Sequence, residues 1–416
     1  QPQPQPQPPP RTTAPGIARQ AAPEKAPPGF FNACIPRLNN RPEVLLKRPM
    51  FRQPLHDRGV ISRYRALLPV SEATPVVSLN EGSTPLIHSA KLSAKIGRGC
   101  EVYIKYEGLN PTGSFKDRGM TMAMSKAAEA GKKAVICAST GNTSAAAAAY
   151  ATRAGMDCVV LLPAGKISAG KLAQAFVYGS KVIAIDGNFD EALDLVRKIG
   201  ERDDFEVVNS INPFRIEGQK TASFEIIDEL GDAPDIHILP VGNAGNITAY
   251  WKGYQEYAAL GKSTKTPRMT GFQAAGSAPI FHNRIIPDPD TVATAIRIGN
   301  PASWEQANAA IRDSKGSIDI VTDQEILDAQ AWLAANEGIF IEPGSAASVA
   351  GLLKCLDCHR EPCATCPVRN IAEGSTLVLT VTGHGLKDID APLKHRAFAP
   401  LQAANSMDAV LHTLGY

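Results

Sequence analysis

The stretch that decides the fold is Asn110-Pro111-Thr112-Gly113-Ser114-Phe115-Lys116-Asp117-Arg118-Gly119-Met120, a turn that opens directly into a helix. Asn-Pro starts a turn, Gly113 permits a backbone conformation that few other residues adopt, and Ser114 is a suitable N-cap. The positive end of the helix dipole disfavours an ammonium group, and burial adds to this effect, so both lower the pKa of Lys116. A neutral lysine amine is what Schiff-base chemistry requires. The alternative is a solvated lysine beside Asp117.

Short apolar runs alternate with helical patterns on both sides of this turn. Helices of about 10 to 15 residues separate most of the runs, an arrangement typical of an α/β fold. The sequence therefore predicts one or two open, twisted, mostly parallel sheets flanked by helices. The predicted strands are 75–79, 102–106, 134–138, 157–162, 181–185, 206–208, 235–241, 269–273 and 377–381.

Composition and charge exclude several classes of protein. With 416 residues and 44% hydrophobic content, the chain can bury a large core in two compact domains or in one large domain with a subdomain. The net charge of +2 favours neither a nucleic-acid nor a membrane partner, and no apolar run approaches the ~18 residues of a spanning helix. Eight cysteines, four single and four clustered, do not resemble a secreted disulfide framework. We therefore expect a cytoplasmic protein whose oligomeric state, a homodimer among the options, is left open.

Residues 1–58 differ in composition from the rest of the chain, because they begin with a Gln-Pro repeat and stay rich in proline. Such a composition favours extended, unpacked chain, so we expect disorder here. The alternative to a tail without function is a polyproline segment that binds a partner. Ordered structure is expected from about Gly59.

Ligands of open parallel sheets collect at the carboxyl ends of the strands, and three polar turns occupy such positions. The first turn, Ser139-Thr140-Gly141-Asn142-Thr143-Ser144, follows the strand 134–138. Its side chains and the exposed N–H groups of the next helix suit a carboxylate. An ordinary helix N-cap would need only one of these polar residues.

The second turn is Gly242-Asn243-Ala244-Gly245-Asn246, and the third is Thr382-Gly383-His384-Gly385. The second suits a single phosphate better than a dinucleotide, because it lacks the third glycine of the dinucleotide motif; a purely structural glycine turn is the alternative. In the third turn the hydroxyl of Thr382 can bond a ring nitrogen, whereas we interpret His384 as structural. A lysine amine, a cradle for one phosphate, and Asn142 and Thr382 for a polar ring together describe pyridoxal phosphate.

These motifs, together with Glu81-Gly82-Ser83-Thr84-Pro85-Leu86, resemble the threonine synthase family, which shares its pyridoxal-phosphate fold with tryptophan synthase β, cysteine synthase and threonine dehydratase. The resemblance covers about residues 59–392 and implies a cofactor in the cleft between two domains. It implies that Lys116 forms the Schiff base, that Asn142 bonds the ring hydroxyl and that Thr382 faces the pyridine nitrogen. The residues that it assigns to the cofactor phosphate are Gly242, Asn243, Ala244, Gly245 and Asn246.

Substrate choice in this family rests on a second anion site. The resemblance implies conversion of O-phospho-L-homoserine and water to L-threonine and phosphate by γ-elimination and β-addition, the last step of threonine biosynthesis. A threonine or serine dehydratase and a non-catalytic binding protein are the alternatives, and a surface pair with Glu217 is the alternative for Arg215. The implied phosphate contacts are Asn209, Ser210, Arg215 and Asn243 with Lys105 nearby, and the implied carboxylate contacts are Ser139, Thr140 and Thr143.

The resemblance also suggests a division into domains. Residues 109–215 form a smaller α/β domain that carries Lys116, and residues 59–108 with 216–400 form a larger cofactor-binding domain. A Cys-rich insertion at 355–370 and a C-terminal tail at 401–416 complete the prediction.

The Cys-rich insertion contains Cys355, Cys358, Cys363 and Cys366, with His359 as a spare ligand. Paired CxxC motifs suit tetrahedral zinc, but their separation here is shorter than the usual spacing of about 15 to 20 residues. Metal binding and four reduced thiols both stay open, and no metal site is assigned.

Overall fold

The computed structural model describes residues 59–164, 169–187, 189–357, 371–395 and 400–416. The proline-rich segment 1–58 and most of the Cys-rich insertion lie outside the described residues, as do the predictions made for them. Within the described ranges, no helix combines the length and the apolar character needed to cross a bilayer.

The strands form two sheets. They are β1 (Leu86–His88), β2 (Glu101–Tyr106), β3 (Ala134–Ala138), β4 (Asp157–Pro163), β5 (Lys181–Ile185), β6 (Phe205–Val207), β7 (Ile236–Pro240), β8 (Arg268–Ala274), β9 (Ser317–Val321) and β10 (Thr376–Val381). One sheet has the order β1-β2-β10-β7-β8-β9 and the other the order β5-β4-β3-β6. All strand pairs are parallel except β1 with β2. The prediction of an α/β fold with two mostly parallel sheets is confirmed.

Helices connect the strands and flank both sheets. They are α1 (Gly59–Tyr64), α2 (Ala90–Ile96), α3 (Lys116–Glu129), α4 (Asn142–Ala154), α5 (Ala169–Val177), α6 (Phe189–Gly200), α7 (Pro213–Gln219), α8 (Thr221–Leu230), α9 (Gly245–Ala259), α10 (Pro279–His282), α11 (Trp304–Asp313), α12 (Asp323–Glu337), α13 (Pro343–Asp357), α14 (Asp390–His395) and α15 (Met407–Leu414). The last helix lies within the predicted C-terminal tail.

Two details of the predicted strands are wrong. The segment 75–79 is not a strand, because side chains of α3 satisfy its backbone: the N–H of Val77 donates to Ser125, and its carbonyl accepts from Thr121. Strand β9 was missed because Asp319 interrupts its apolar run. At the edge of a sheet, alternation of polar and apolar residues is what a strand with one covered face requires.

Close packing of α3 against α7 fixes the geometry around the lysine turn. A Cβ on Gly218 would lie 1.8 Å from the carbonyl oxygen of Arg118, and one on Gly119 would lie 2.9 Å from the carbonyl oxygen of Arg215. Only glycine permits such an approach between two helix backbones. The helix that begins at Lys116 is therefore in direct contact with the helix that carries Arg215.

Candidate active site

Lys116 is the first residue of α3, and Phe115 rather than the predicted Ser114 is the N-cap residue. Its half-buried side chain lies over Phe115, with Nζ 4.1 Å from the ring centroid. Burial, the largest effect, and the positive charge of Arg215 together lower the pKa of Lys116 to about 7, although the charge of Glu342 acts in the opposite direction. A large fraction of the amine is therefore neutral near pH 7, the form that attacks a carbonyl carbon.

The polar turn after β3 leads into α4 without a side-chain cap at Gly141. The hydroxyl of Ser139 accepts a hydrogen bond from the N–H of Gly141, and Thr140 and Thr143 are half-buried. Asn142 donates to both carboxylate oxygens of Glu342 at 3.0 Å. The uncapped N–H groups of α4 are suited to an anion such as a carboxylate.

The turn between β7 and α9 is a second uncapped helix start. Ala244 has φ 63°, in the left-handed region, and makes no side-chain cap. Gly242 has no room for a side chain, because a Cβ there would lie 2.9 Å from Cα of Ile296. Such a loop directs backbone N–H groups toward a phosphate.

The two asparagines of this turn stabilise its backbone. Asn243 accepts hydrogen bonds from the N–H groups of Ala302, through its side chain, and Ser303, through its carbonyl. Asn246 donates to the carbonyl of Pro240 at 2.7 Å. Gly245 lies between them at the start of α9, where a Cβ would meet its first neighbour at 3.6 Å.

Thr382 follows β10 and is buried. Its hydroxyl lies 2.9 Å from that of Ser345, which accepts the N–H of Gly383 at 2.7 Å. Nδ1 of His384 accepts a hydrogen bond from the N–H of Leu386, which supports the structural interpretation of this histidine.

Arg215 is 1% exposed and is not a surface residue. Its Nη1 donates to the carbonyl of Val208 at 3.1 Å, whereas Nε and Nη2 have no hydrogen-bond partner among the described residues. Burial lowers the pKa of Arg215 to about 10. The alternative pairing with Glu217 is wrong, because that carboxylate is paired with Lys220 and Lys252.

Three other predicted contacts have different environments. The side chain of Asn209 bonds the N–H and the carbonyl of Ala138, both at 3.0 Å, and so fixes the end of β3. Ser210 is half-buried beside it. Lys105 is buried and donates to the carbonyl of Thr84 at 2.7 Å and to Glu225 at 2.8 Å.

The ion pair of Lys105 belongs to a buried network that the sequence did not indicate. Arg118, two residues after Lys116, donates from Nε to Glu107 at 2.7 Å and from Nη2 to Glu225 at 2.6 Å. In the interior, the positive charges of Lys105 and Arg118 thus balance the negative charges of Glu107 and Glu225. The network joins the start of α3 to β2 and α8.

Glu342 is the second feature that sequence reasoning missed. It directly precedes α13 and is 4% exposed. The available signal was an acidic residue at a helix start, which is more often a capping residue than a site residue. Its contact with Asn142 spans 200 positions of the chain.

Cys355 lies in the hydrophobic core beside α12 and β8, not on the surface. The other three cysteines of the insertion and His359 lie outside the described residues. In the part of the chain that the structure describes, no cluster of three or more His, Cys, Asp or Glu side chains is arranged to hold a metal ion.

The arrangement fits pyridoxal phosphate. An amine with a lowered pKa is carried by the first residue of α3, an uncapped helix start that glycine leaves open follows β7, and a buried hydroxyl follows β10. The residues that could hold the group are Lys116, Asn142, Gly242 to Asn246 and Thr382.

Comparisons with known proteins agree with this chemistry. A family model described as pyridoxal-phosphate dependent enzyme matches residues 77–363. The threonine synthase of Synechocystis sp. is 59% identical over 81% of this chain and 85% of that protein. The threonine synthase of Mycobacterium tuberculosis is 58% identical over 81% of this chain and 90% of that protein, and that of Methanocaldococcus jannaschii is 49% identical over 84% and 86%.

Solved structures support the fold alone, because their identities are low. Maize serine racemase superposes with a TM-score of 0.62 at 23% identity, over 76% of this chain and 92% of that one. Cysteine synthase from Entamoeba histolytica superposes with a TM-score of 0.64 at 19% identity, over 81% and 94%. Since the family model and the relatives both extend over most of the chain, the chain belongs to the threonine synthase family of pyridoxal-phosphate dependent enzymes.

Proposed function

We propose that this chain is a threonine synthase, which converts O-phospho-L-homoserine and water to L-threonine and inorganic phosphate. The observation that carries the substrate assignment is the guanidinium of Arg215, which is buried with two nitrogen atoms unpartnered among the described residues. A buried cation without an anion is costly, so a ligand that supplies the anion gains binding energy there.

The phosphate of the substrate is the proposed ligand of Arg215. An arginine fork can bind two phosphate oxygens at once, and the unpartnered atoms Nε and Nη2 form such a fork. Ser210 and Asn243 are the proposed neighbouring contacts. Asn209 supports this site through the end of β3, and Lys105 through the buried ion network, so their direct contacts with substrate stay predictions.

The carboxylate of the substrate is proposed to bind at the start of α4. Ser139, Thr140 and Thr143 offer hydroxyl groups there, and the uncapped N–H groups of the helix add favourable electrostatics. Two anion sites on either side of Lys116 would hold both ends of a substrate that carries a carboxylate and a phosphate.

Pyridoxal phosphate is held by Lys116, Asn142, Thr382 and the turn from Gly242 to Asn246 in this proposal. When bound, the cofactor accepts into its ring the electrons left on a substrate carbon after a proton departs. Lys116 would take and return protons at Cα and Cβ of the substrate, because its pKa of about 7 suits both directions. Arg215 stabilises the charge of the phosphate as it leaves Cγ, and water adds at Cβ.

The test is phosphate release from O-phospho-L-homoserine, with L-threonine quantified as the second product. One threonine per phosphate supports the proposal. Serine, threonine and O-phosphoserine serve as competing substrates. Turnover of serine or threonine alone to a keto acid would instead identify a dehydratase, an activity for which the unpartnered guanidinium has no purpose.

The proposed partner is a small molecule. A homodimer, a cytoplasmic location and the division into domains at residues 109–215 stay predictions.

A further inference from the structure

Glu342 is a buried acid whose position is fixed from two sides. Its N–H donates to the carbonyl of Gly383 at 3.1 Å, and the preceding Ile341 forms a bridge with His384. Its carbonyl accepts from the N–H groups of Ser345 and Ala346 at the start of α13. The side chain therefore projects from a rigid junction between α13 and the turn after β10.

The carboxylate of Glu342 has space only because residue 383 is glycine. A Cβ on Gly383 would lie 2.4 to 2.9 Å from three atoms of the carboxylate. Gly383 is not one of the glycines with a positive φ. Its backbone conformation therefore does not require glycine. The contact with Glu342 is the physical reason for glycine at this position of the Thr382-Gly383-His384-Gly385 turn.

The partner of this carboxylate is Asn142, the residue proposed to bond the ring hydroxyl of the cofactor. One amide nitrogen, Nδ2, lies 3.0 Å from each oxygen of Glu342. Because one N–H group of Nδ2 is shared between both oxygens, the hydrogen bond favours the ionised carboxylate. An amide nitrogen carries two N–H groups, so one stays available for a ligand.

Charged groups from two elements face Glu342. Lys116 lies on α3, and Lys387 and Asp388 lie on the loop after β10. The pKa of Glu342 is raised on balance: burial, the largest effect, and the charge of Asp388 raise it, whereas the hydrogen bond from Asn142 and the charges of Lys387 and Lys116 lower it. Reciprocally, the charge of Glu342 raises the pKa of Lys116.

We propose that Glu342 is a positioning residue for the cofactor: it orients the amide of Asn142 toward the ring hydroxyl and, as an anion, favours the proton at the nitrogen of Lys116. The proposal rests on the cofactor part of the proposed function and not on the identity of the substrate. A failed phosphate-release assay would therefore leave its test valid.

The test compares five variants of the full-length protein loaded with pyridoxal phosphate, in the absence of substrate: three at single glutamates, Asn142→Ala and the double variant of Glu342 and Asn142. Glu342→Gln keeps the shape and one hydrogen-bond acceptor but removes the charge, and Glu342→Ala removes both. Glu337→Gln, at the end of α12, is the matched control, because this glutamate bonds Ser89 instead of a site residue. The two measurements are the cofactor dissociation constant and the pH midpoint of the visible absorbance change of the bound cofactor.

Glu342→Ala should weaken cofactor binding by about 5- to 10-fold. This is the change in the dissociation constant expected when a hydrogen bond that contributes about 1 kcal/mol is lost. Asn142→Ala should have a similar effect, and the double variant should be little worse than either single variant. In Glu342→Gln the affinity should change less than in Glu342→Ala, while the pH midpoint moves to lower pH, because an anion near a protonated nitrogen is lost.

Two results would overturn the proposal. Wild-type affinity in Glu342→Ala, or additive losses in the double variant, would show that Glu342 does not act through Asn142. An unchanged midpoint in Glu342→Gln would refute the electrostatic part. Should Glu342→Ala fail to fold, the midpoint of Glu342→Gln decides the matter, since that variant preserves the packing.

Discussion

Gly218 and Arg118 are in backbone contact: a Cβ on Gly218 would lie 1.8 Å from the carbonyl oxygen of Arg118. Arg118 is two residues from Lys116, and Gly218 is three residues from Arg215. The separation between the reactive amine and the proposed phosphate-binding guanidinium is therefore set by main chain, which is stiffer than side-chain packing.

Replacing Gly218 by Ala should force α7 away from α3. We expect a loss of about 1 to 3 kcal/mol in the free energy of unfolding, since overpacked sites cost this much. The KM for O-phospho-L-homoserine should rise more than the cofactor dissociation constant, because α7 carries Arg215, whereas the proposed site of the cofactor phosphate is at the start of α9. Denaturant unfolding and steady-state kinetics measure the two effects. A variant with wild-type stability and KM would show that the helices are not held this closely.

Arg215→Met should abolish phosphate binding without lowering the stability of the protein. Without an anion, the variant should be as stable as the parent protein or more stable, because a buried unpaired charge is replaced by an apolar side chain of similar length. Inorganic phosphate should raise the melting temperature of the parent protein but not that of the variant. Turnover of O-phospho-L-homoserine should fall by at least about 100-fold, as expected for a lost charge-assisted bidentate contact.

Arg153→Met is the control for this experiment, because Arg153 is exposed and donates to the carbonyl of Ser78. It should keep the phosphate response and the activity of the parent protein. A phosphate response that survives in Arg215→Met would assign the anion to another site.

Local chemistry made much of this site predictable. The turns around Asn142, Gly242 and Thr382 each combine a strand end, a helix start and polar residues within six positions, and the turn before Lys116 combines Asn-Pro, a glycine and polar residues at a helix start, so the sequence alone indicates them. The role of Glu342 was not predicted because it depends on contact with Asn142, which is 200 positions away in the chain. No short-range pattern encodes a contact that forms only when two sheets come together.

The buried ion network was not predicted for the same reason. Arg118 lies two residues after Lys116 and has the pattern of a helix residue, but Glu107 approaches it from the turn after β2 and Glu225 from α8. The sequence also does not show that these charged residues are buried. The side chains of Arg118, Glu107 and Lys105 are at most 1% exposed. Composition alone would assign all of them to the surface.

Arg118→Met should be strongly destabilising, because Glu107 and Glu225 would lose the cation between them. We expect a loss of about 3 to 5 kcal/mol in the free energy of unfolding. Lys181→Met is the matched control, since its ion pair with Asp157 is exposed on both sides and should contribute at most about 1 kcal/mol. Equal effects of the two substitutions in denaturant unfolding would contradict the buried network.

The buried imidazole of His237 should make the protein less stable in acid. It is fully buried in β7, with Nδ1 2.7 Å from the hydroxyl of Tyr254 and Nε2 2.8 Å from that of Thr380. Burial lowers the pKa of His237 to about 3, whereas an unfolded histidine has a pKa near 6.5. The unfolded chain therefore binds one more proton than the native protein between these two values, and stability falls as pH decreases through this window.

The contribution of His237 to this slope is about 1.4 kcal/mol per pH unit below pH 6.5. His237→Gln, which can bond both hydroxyls but does not titrate, should be less stable at pH 8 and should show a slope smaller by one proton between pH 6 and about 4. Unfolding in denaturant at several pH values measures both quantities. His412→Gln, on the exposed helix α15, should keep the slope of the parent protein. If His237→Gln kept that slope too, the imidazole would be protonated in the folded state, and its bonds to Tyr254 and Thr380 would have to be assigned anew.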